Sequence, residues 1–118
     1  MDSLKQLTAR LRRFVEERDW QRHQSPKNLV MALTAEVGEL VEHFQWLGEA
    51  ESREIGGDTK HAVAMEMADV LIYLTRMADE LGIDLVAVAH EKCDDNDRKY
   101  PRDAFRGAYR RPDQDKER

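Results

Sequence analysis

The sequence predicts an all-α protein whose helices form one bundle. Apolar residues recur at spacings of three and four along long segments, which is the period of an α-helix. Residues typical of helix ends bound these segments, such as Ser25-Pro26 before one and Gly82 after another. A charged fraction of 36% beside 41% hydrophobic residues is typical of a soluble helical protein rich in Glu, Lys, Arg, Ala and Leu.

The periodicity divides the chain into four helices. The first covers 2–20, with Ser3 as its cap, and the second begins at Ser25-Pro26 and ends near Leu47, before Gly48. The third helix begins at Asp58 or Thr59 and ends at Leu81, before Gly82. The fourth runs from Leu85 to Lys99, with Asp84 as its cap and Tyr100-Pro101 at its end. The connection 49–58 has room for a short helical turn.

The length of 118 residues fits one domain, which we expect to cover 1–101. Residues 102–118 are strongly charged and predict a mobile tail, in which Phe105 and Tyr109 could pack locally. The Arg and Glu residues of the first helix predict a solvated face held by Glu–Arg pairs.

The charge and cysteine content exclude several classes of protein. A net charge of −5 argues against a nucleic acid polymer as partner, since such proteins carry a basic surface. The single cysteine, Cys93, permits neither a disulfide nor a cysteine zinc site within one chain. The chain shows neither a signal peptide nor an apolar run long enough to span a membrane, so we expect a cytoplasmic protein.

Two pairs of acidic residues interrupt the apolar stripes. Glu36 and Glu39 lie three apart in the second helix, and Glu66 and Asp69 repeat this spacing in the third. At 100° per residue Glu36 falls inside the stripe formed by Leu29, Leu33, Val37, Leu40, Phe44 and Leu47, with Glu39 at its edge. A carboxylate facing a core is costly unless it is paired or bound to a metal.

Four explanations compete for these acids. Surface ion pairs do not account for the inward position of Glu36. A di-iron site requires Glu-x-x-His repeats, and the residues at +3 here are Glu39 and Asp69. No twelve-residue EF-hand loop is present for calcium. The remaining explanation is an all-carboxylate Mg²⁺ site between neighbouring helices, with Glu36 more sensitive than Glu39 to loss of metal.

Beyond the acids, further elements complete a known pattern. These are Glu17-Arg18-Asp19-Trp20, Pro26-Lys27-Asn28-Leu29, Gly38-Glu39-Leu40, Phe44-Gln45-Trp46, Asp69-Val70-Leu71-Ile72-Tyr73-Leu74 and Lys92…Asn96…Lys99-Tyr100-Pro101. Over residues 4–101 the chain resembles the MazG-like, all-α nucleoside triphosphate pyrophosphohydrolases, in particular the single-domain dCTP pyrophosphatase branch. One departure is His23-Gln24-Ser25, where many relatives carry Phe-His; we assign it no role.

The resemblance implies a four-helix MazG-like bundle that hydrolyses a (deoxy)nucleoside triphosphate to the monophosphate and pyrophosphate with Mg²⁺. The metal would neutralise phosphate oxygens and lower the pKa of a bound water, whose proton Glu36 or Glu39 could accept. Lys92 would supply positive charge to the phosphates, with Asn96 and Tyr100 as neutral donors.

The resemblance also places aromatic residues around the nucleobase. Trp20 and Trp46 could stack on it or could instead anchor a core or a subunit interface. The hydroxyl of Tyr73 could reach the sugar or phosphate, or it could be a satisfied core group. We expect dCTP or a modified pyrimidine nucleotide as substrate, in a house-cleaning role for the nucleotide pool.

The third helix predicts an oligomer. It is apolar on more than one side, since Met65 and Ile72 lie apart from the stripe of Val63, Met67, Val70, Leu74, Met77 and Leu81. A homodimer or a dimer of dimers, with the site near the subunit interface, would bury the second side. The competing hypothesis is a non-enzymatic helical oligomerisation module whose acids bind a structural metal.

Overall fold

A computed structural model describes residues 3–108, and all regular structure within this range is helical. Its elements are α1 (Leu4–Glu17), a 3₁₀ turn (Gln21–His23), α2 (Pro26–Glu42), α3 (Glu49–Ser52), α4 (Gly57–Leu81), α5 (Leu85–Lys99) and α6 (Arg102–Phe105). The predicted all-α class is confirmed. The chain divides into two compact units, with the boundary between Ile83 and Asp84.

Helix α1 begins at the predicted cap and ends earlier than predicted. The Ser3 side chain accepts a hydrogen bond from the Gln6 backbone N–H at 3.0 Å. The predicted end at residue 20 is wrong, because Asp19 adopts the left-handed conformation with φ of 53°. Asp tolerates this conformation better than most residues, and it turns the chain so that the Trp20 N–H reaches the Val15 carbonyl at 3.1 Å.

Helix α2 has the predicted beginning and a shorter end. Ser25 accepts from the Asn28 N–H at 3.2 Å, and Pro26 occupies the first turn. The predicted end at Leu47 is wrong, because the helix tightens after Glu42 into turns with i→i−3 hydrogen bonds. Gly48 does not end α2; it caps the short α3, which lies in the predicted connection.

Helix α4 has the predicted end and a different beginning. Its N-cap is Gly56, so Asp58 lies in the first turn. There the negative charge of Asp58 interacts favourably with the positive end of the helix dipole. The helix ends before Gly82, whose φ of 66° is the left-handed conformation that glycine adopts without strain.

Helices α2 and α4 form the main packing contact of the first unit, and α1 packs against α4. The buried apolar side chains among the described residues are Val15, Leu29, Val63 and Ala78. The predicted α4 stripe is divided: Val63 is buried and Val70 is half-buried, whereas Met67, Leu74 and Leu81 are exposed. Together with exposed Leu71, these three define an apolar stripe, which we call the outer stripe.

The second unit confirms the predicted ends of the fourth helix. Asp84 caps α5 by accepting a hydrogen bond from the Ala87 N–H at 3.1 Å. At the other end of the helix the Tyr100 N–H donates to the Asn96 carbonyl at 2.8 Å. Tyr100 and Phe105 meet edge to face at 5.2 Å, so Phe105 packs locally as expected. Tyr109, with the rest of the predicted tail to 118, lies outside the described residues. No described helix is long and apolar enough to cross a membrane.

Candidate functional site

Three of the four predicted acids converge where α2 and α4 pack together. Glu36 and Glu39 come from α2 and Glu66 from α4, and one carboxylate oxygen of each lies within 4.8 Å of the others. Glu36 and Glu66 are half-buried, whereas Glu39 is exposed. The i, i+3 spacing places both α2 acids on the face that meets α4.

The cluster is electrostatically unsatisfied as it stands. Oxygen Oε2 of Glu36 and Oε2 of Glu66 are buried and have no hydrogen-bond partner among the described residues. Burial, followed by the nearby Glu39 and Asp69 carboxylates, raises the pKa of Glu36 to about 7. Burial and then Glu39 also raise the pKa of Glu66 above its ordinary value.

These residues fit a bound cation. Buried polar oxygens in native proteins are almost always paired, so two unpartnered carboxylate oxygens in one cluster suit a positively charged ligand. No Lys or Arg of the described residues makes an ion pair with Glu36, Glu39 or Glu66. An all-oxygen donor set is the kind that hard divalent cations such as Mg²⁺ prefer.

Asp69 lies beside the cluster on α4, three residues after Glu66. It is half-buried, and its charge contributes to the raised pKa of Glu36. Its carboxylate is not one of the three that lie within 4.8 Å. It lines instead a cavity of about 630 Å³ between α1 and α4. Asp69 therefore connects the acidic cluster to that cavity.

Two cavities of the first unit share three residues. Trp20, Gln24 and Tyr73 line both the 630 Å³ cavity and a neighbouring one of about 250 Å³. The smaller cavity is also lined by Ala32, which precedes Glu36 by one helical turn on α2. The acidic cluster therefore adjoins a concave region with an indole and a phenol in its walls, two flat groups on which a planar ligand could stack.

The indole of Trp20 packs against a side chain of α1. Its ring meets that of Phe14 edge to face, with centroids 5.7 Å apart. The Arg18 guanidinium lies 3.7 Å from the centre of the Phe14 ring and donates to the Phe14 carbonyl at 3.1 Å. Arg18 also pairs with Glu17 at 3.8 Å, whereas Arg12 pairs with Asp79 of α4. The prediction of a face held by Glu–Arg pairs is therefore confirmed for Arg18 and wrong for Arg12.

One buried arginine that lines the 630 Å³ cavity was not predicted from the sequence as a site residue. Arg76 is 3% exposed, and it donates from Nε to Gln24 at 2.9 Å, from one terminal nitrogen to Asp79 at 2.9 Å and from the other to Glu80 at 2.5 Å. A signal was present: a basic residue within an apolar helix, followed by acids at positions +3 and +4.

The other predicted site residues lie elsewhere. Trp46 follows α2 in a turn and is 86% exposed. Lys92 and Asn96 lie one turn apart on α5, and Tyr100 ends that helix, so all three belong to the second unit. Lys92 and Asn96 are exposed, as expected of residues available to a ligand.

A family model described as the MazG-like family matches residues 31–110, which include all four acids and reach into both units. The chain belongs to the MazG-like family. The resemblance inferred from the sequence is thereby confirmed, together with its relation to the dCTP pyrophosphatases. Those curated relatives include dCTP pyrophosphatase 1 of Rattus norvegicus, 41% identical over 97 residues, and that of Homo sapiens, 40% identical over 100 residues.

These alignments cover 80% and 83% of the MazG-like chain but 57% and 59% of the rat and human proteins, so the chain spans little more than half the length of these curated relatives. A crystal structure of a pyrophosphatase from Archaeoglobus fulgidus superposes with a TM-score of 0.78 at 39% identity. That superposition covers 82% of this chain and 91% of the archaeal one. The likeness therefore extends over nearly all of a solved relative.

Proposed function

We propose that this chain is a Mg²⁺-dependent nucleotide pyrophosphohydrolase. Its substrate would be a (deoxy)nucleoside triphosphate, dCTP or a modified pyrimidine form, and its products the monophosphate and pyrophosphate. The observation that carries the proposal is the pair of unpartnered buried oxygens on Glu36 and Glu66 beside an aromatic-lined cavity. The dCTP pyrophosphatases and the archaeal pyrophosphatase support the reaction class.

In this proposal Glu36, Glu39, Glu66 and Asp69 hold the metal. Bound Mg²⁺ would supply positive charge to phosphate oxygens and make water more acidic. Glu36 or Glu39 would accept the proton of the attacking water, because each lies in the cluster and carries a carboxylate. Burial of the cluster strengthens these interactions, since charges interact more strongly where water is excluded.

The remaining predicted residues would bind the substrate. Trp20 and Tyr73 line the cavities next to the acids, which supports a position beside the base and sugar. Lys92, Asn96 and Tyr100 would act on the phosphates. Trp46 would complete the base site, and a tryptophan exposed to this degree is consistent with a group that a ligand or another subunit covers.

We further propose that the chain assembles as a homodimer or a dimer of dimers. The outer stripe supports this, because Met67, Leu71, Leu74 and Leu81 follow one another at spacings of four, three and seven along α4 and are all exposed. An apolar stripe of this length on a soluble helix marks an interaction surface. The cytoplasmic location inferred from the sequence belongs to the same proposal.

The decisive experiment is a nucleotide panel. The chain should be incubated with each dNTP, with dUTP and with 5-substituted dCTP in MgCl₂, and pyrophosphate release should be measured. We expect release from a pyrimidine substrate and none after chelation by EDTA. If no nucleotide yields pyrophosphate while Mg²⁺ still raises the melting temperature, the chain is a helical module with a structural metal, and the enzymatic proposal is wrong.

A further inference from the structure

Gln24 holds a distinctive position in the first unit, since it contacts both cavities and also the buried Arg76. It ends the 3₁₀ turn that links α1 to α2, where its N–H donates to the Gln21 carbonyl at 3.1 Å. Gln24 lines both cavities together with Trp20 and Tyr73. A planar ligand held in these cavities would therefore lie close to Gln24.

The contact with Arg76 determines which end of that carboxamide is available. An arginine Nε carries a hydrogen and can only donate, so the Gln24 atom that it contacts at 2.9 Å must be the oxygen Oε1. The amide nitrogen Nε2 has no partner among the described residues. It carries two N–H groups, so what Gln24 offers to a ligand is a hydrogen-bond donor.

Arg76 is itself prevented from turning away. It is buried, and Asp79 and Glu80 receive its two terminal nitrogens. Arg12 also donates to both carboxylate oxygens of Asp79. A guanidinium fixed by two carboxylates presents its Nε–H in one direction, which keeps the Gln24 amide from rotating by 180°.

We propose that Gln24 recognises the base by donating from Nε2 to the N3 nitrogen of cytosine, with Arg76 as the residue that positions it. This inference rests on the function proposed above and names the residue that selects the base. Cytosine has an unprotonated N3 that accepts a hydrogen bond. In uracil N3 carries a hydrogen and would oppose the Nε2 donors, so a fixed donor at this place favours dCTP over dUTP.

The substitution Gln24→Glu tests the donor directly. A glutamate has the same shape and can still accept from Arg76, but its second oxygen is an acceptor and not a donor. We expect the ratio of kcat/KM for dCTP to kcat/KM for dUTP to fall by about 10-fold or more, through weaker use of dCTP and better use of dUTP. Gln6→Glu makes the same chemical change at an exposed position of α1, outside both cavities and away from Arg76, and should leave the ratio unchanged.

An altered substrate tests the same hydrogen bond from the other side. In 3-deaza-dCTP a C–H group replaces N3, so the acceptor is lost while the rest of the base is kept. The unsubstituted protein should prefer dCTP to 3-deaza-dCTP by about 10-fold, whereas Gln24→Ala should use the two about equally. In Arg76→Lys the charge remains and the planar Nε–H is lost, so we expect the dCTP preference to fall several-fold.

The outcomes separate this inference from the proposed function. If the unsubstituted protein releases pyrophosphate but neither Gln24 variant alters the base ratios, Gln24 does not recognise the base and the proposed function stands. If Gln24→Glu and Gln24→Ala alter the ratios but Arg76→Lys does not, Arg76 is not the positioning residue. If the unsubstituted protein acts on no nucleotide, both proposals are wrong. Circular dichroism melts of each variant confirm that the comparison is made between folded proteins.

Discussion

Glu36 shows most clearly how one residue can reveal a site. It lies on a helix face made otherwise of Leu, Val and Phe. One of its oxygens is buried without a hydrogen-bond partner among residues 3–108, and burial raises its pKa to about 7. An apolar residue at this position would make a metal-free helix pair more stable. The proposed metal site would explain why a carboxylate stands there instead.

Replacing Glu36 by Gln should make the metal-free protein more stable and the enzyme inactive. The amide removes one of several clustered negative charges, so the melting temperature in EDTA should rise. The rise in melting temperature that MgCl₂ produces in the unsubstituted protein should be lost, and kcat/KM should fall at least about 100-fold. Glu42→Gln, an exposed position on the same helix, is the matched control and should change neither property. Unaltered stabilisation by MgCl₂ in Glu36→Gln would contradict the metal assignment.

Asp79 forms ion pairs with Arg12 and with the buried Arg76, and its contribution to the free energy of unfolding should depend on pH. Hydrogen bonds from Arg12 first, and then its proximity to Arg76, hold the pKa of Asp79 below its usual range. Since the folded-state pKa is the lower one, the unfolded chain takes up the proton first as the pH falls. The stabilisation is therefore present above the ordinary pKa of Asp and is lost as the pH falls through the folded-state value.

We accordingly expect Asp79→Asn to lower the free energy of unfolding at pH 7 by about 1.5–3 kcal/mol, the usual contribution of a hydrogen bond to a charged group. The difference from the unsubstituted protein should shrink between pH 5 and pH 3. Urea unfolding at pH 7, 5 and 3 measures it, with Asp94→Asn on an exposed face of α5 as control. A difference that stays constant with pH would show that the charge of Asp79 contributes nothing.

At the scale of the element, the turn after α1 determines where Trp20 lies. Asp19 is the one non-glycine residue with positive φ among those described, and it reverses the chain immediately before the indole. The Phe14 ring and the Val15 carbonyl then hold the ring and the backbone of Trp20. The left-handed conformation of Asp19 thus determines where Trp20 lies in the wall of the 630 Å³ cavity.

Asp19→Val should therefore destabilise the protein and weaken substrate binding together. A β-branched residue in the left-handed region costs roughly 1–2 kcal/mol, and relief of that strain would shift Trp20. We expect a lower melting temperature and a higher KM for the nucleotide. Asp19→Gly accepts the same φ without strain and is the matched control. If the glycine variant is impaired as strongly as the valine variant, the Asp19 carboxylate, and not its backbone conformation, is what matters.

For the whole molecule, the main feature is how much apolar surface remains uncovered. The outer stripe of α4 is exposed at every member, including Met67 at 58%. Few apolar side chains of the described residues are fully buried, although a chain of this length can bury a larger core. The proposed homo-oligomer would account for both, since a second copy would cover the stripe and enlarge the core.

Leu71→Glu should convert the assembly into monomers, because a charge in the middle of an apolar interface would have to be buried without a partner. Size-exclusion chromatography with light scattering measures the mass directly. His61→Glu places the same charge on α4 away from the outer stripe and should leave the assembly intact. A monomeric unsubstituted protein, or an unchanged mass in Leu71→Glu, would refute the proposed interface.

The helical class, the caps at Ser3, Ser25 and Asp84, and the stop at Gly82 could all be predicted from the sequence. It also indicated that Glu36, Glu39 and Glu66 share a site. These features depend on short-range rules: helical periodicity, capping hydrogen bonds and the number of residues per turn. The early end of α1 lay beyond these rules, because a left-handed Asp19 is compatible with almost the same sequence pattern as a helical one.

The contacts between residues far apart in the chain could not be predicted from the sequence and follow from how the helices pack. Gln24 and Arg76 are 52 positions apart, and Arg12 and Asp79 are 67 apart. The sequence does not show which distant residue a polar or charged side chain will contact. The acids could be recognised because a carboxylate on an apolar face violates a local rule, and Arg76 within an apolar helix gave a similar local signal. Its contact with Gln24 gave none, since that contact arises from the packing of α4 against the turn that follows α1.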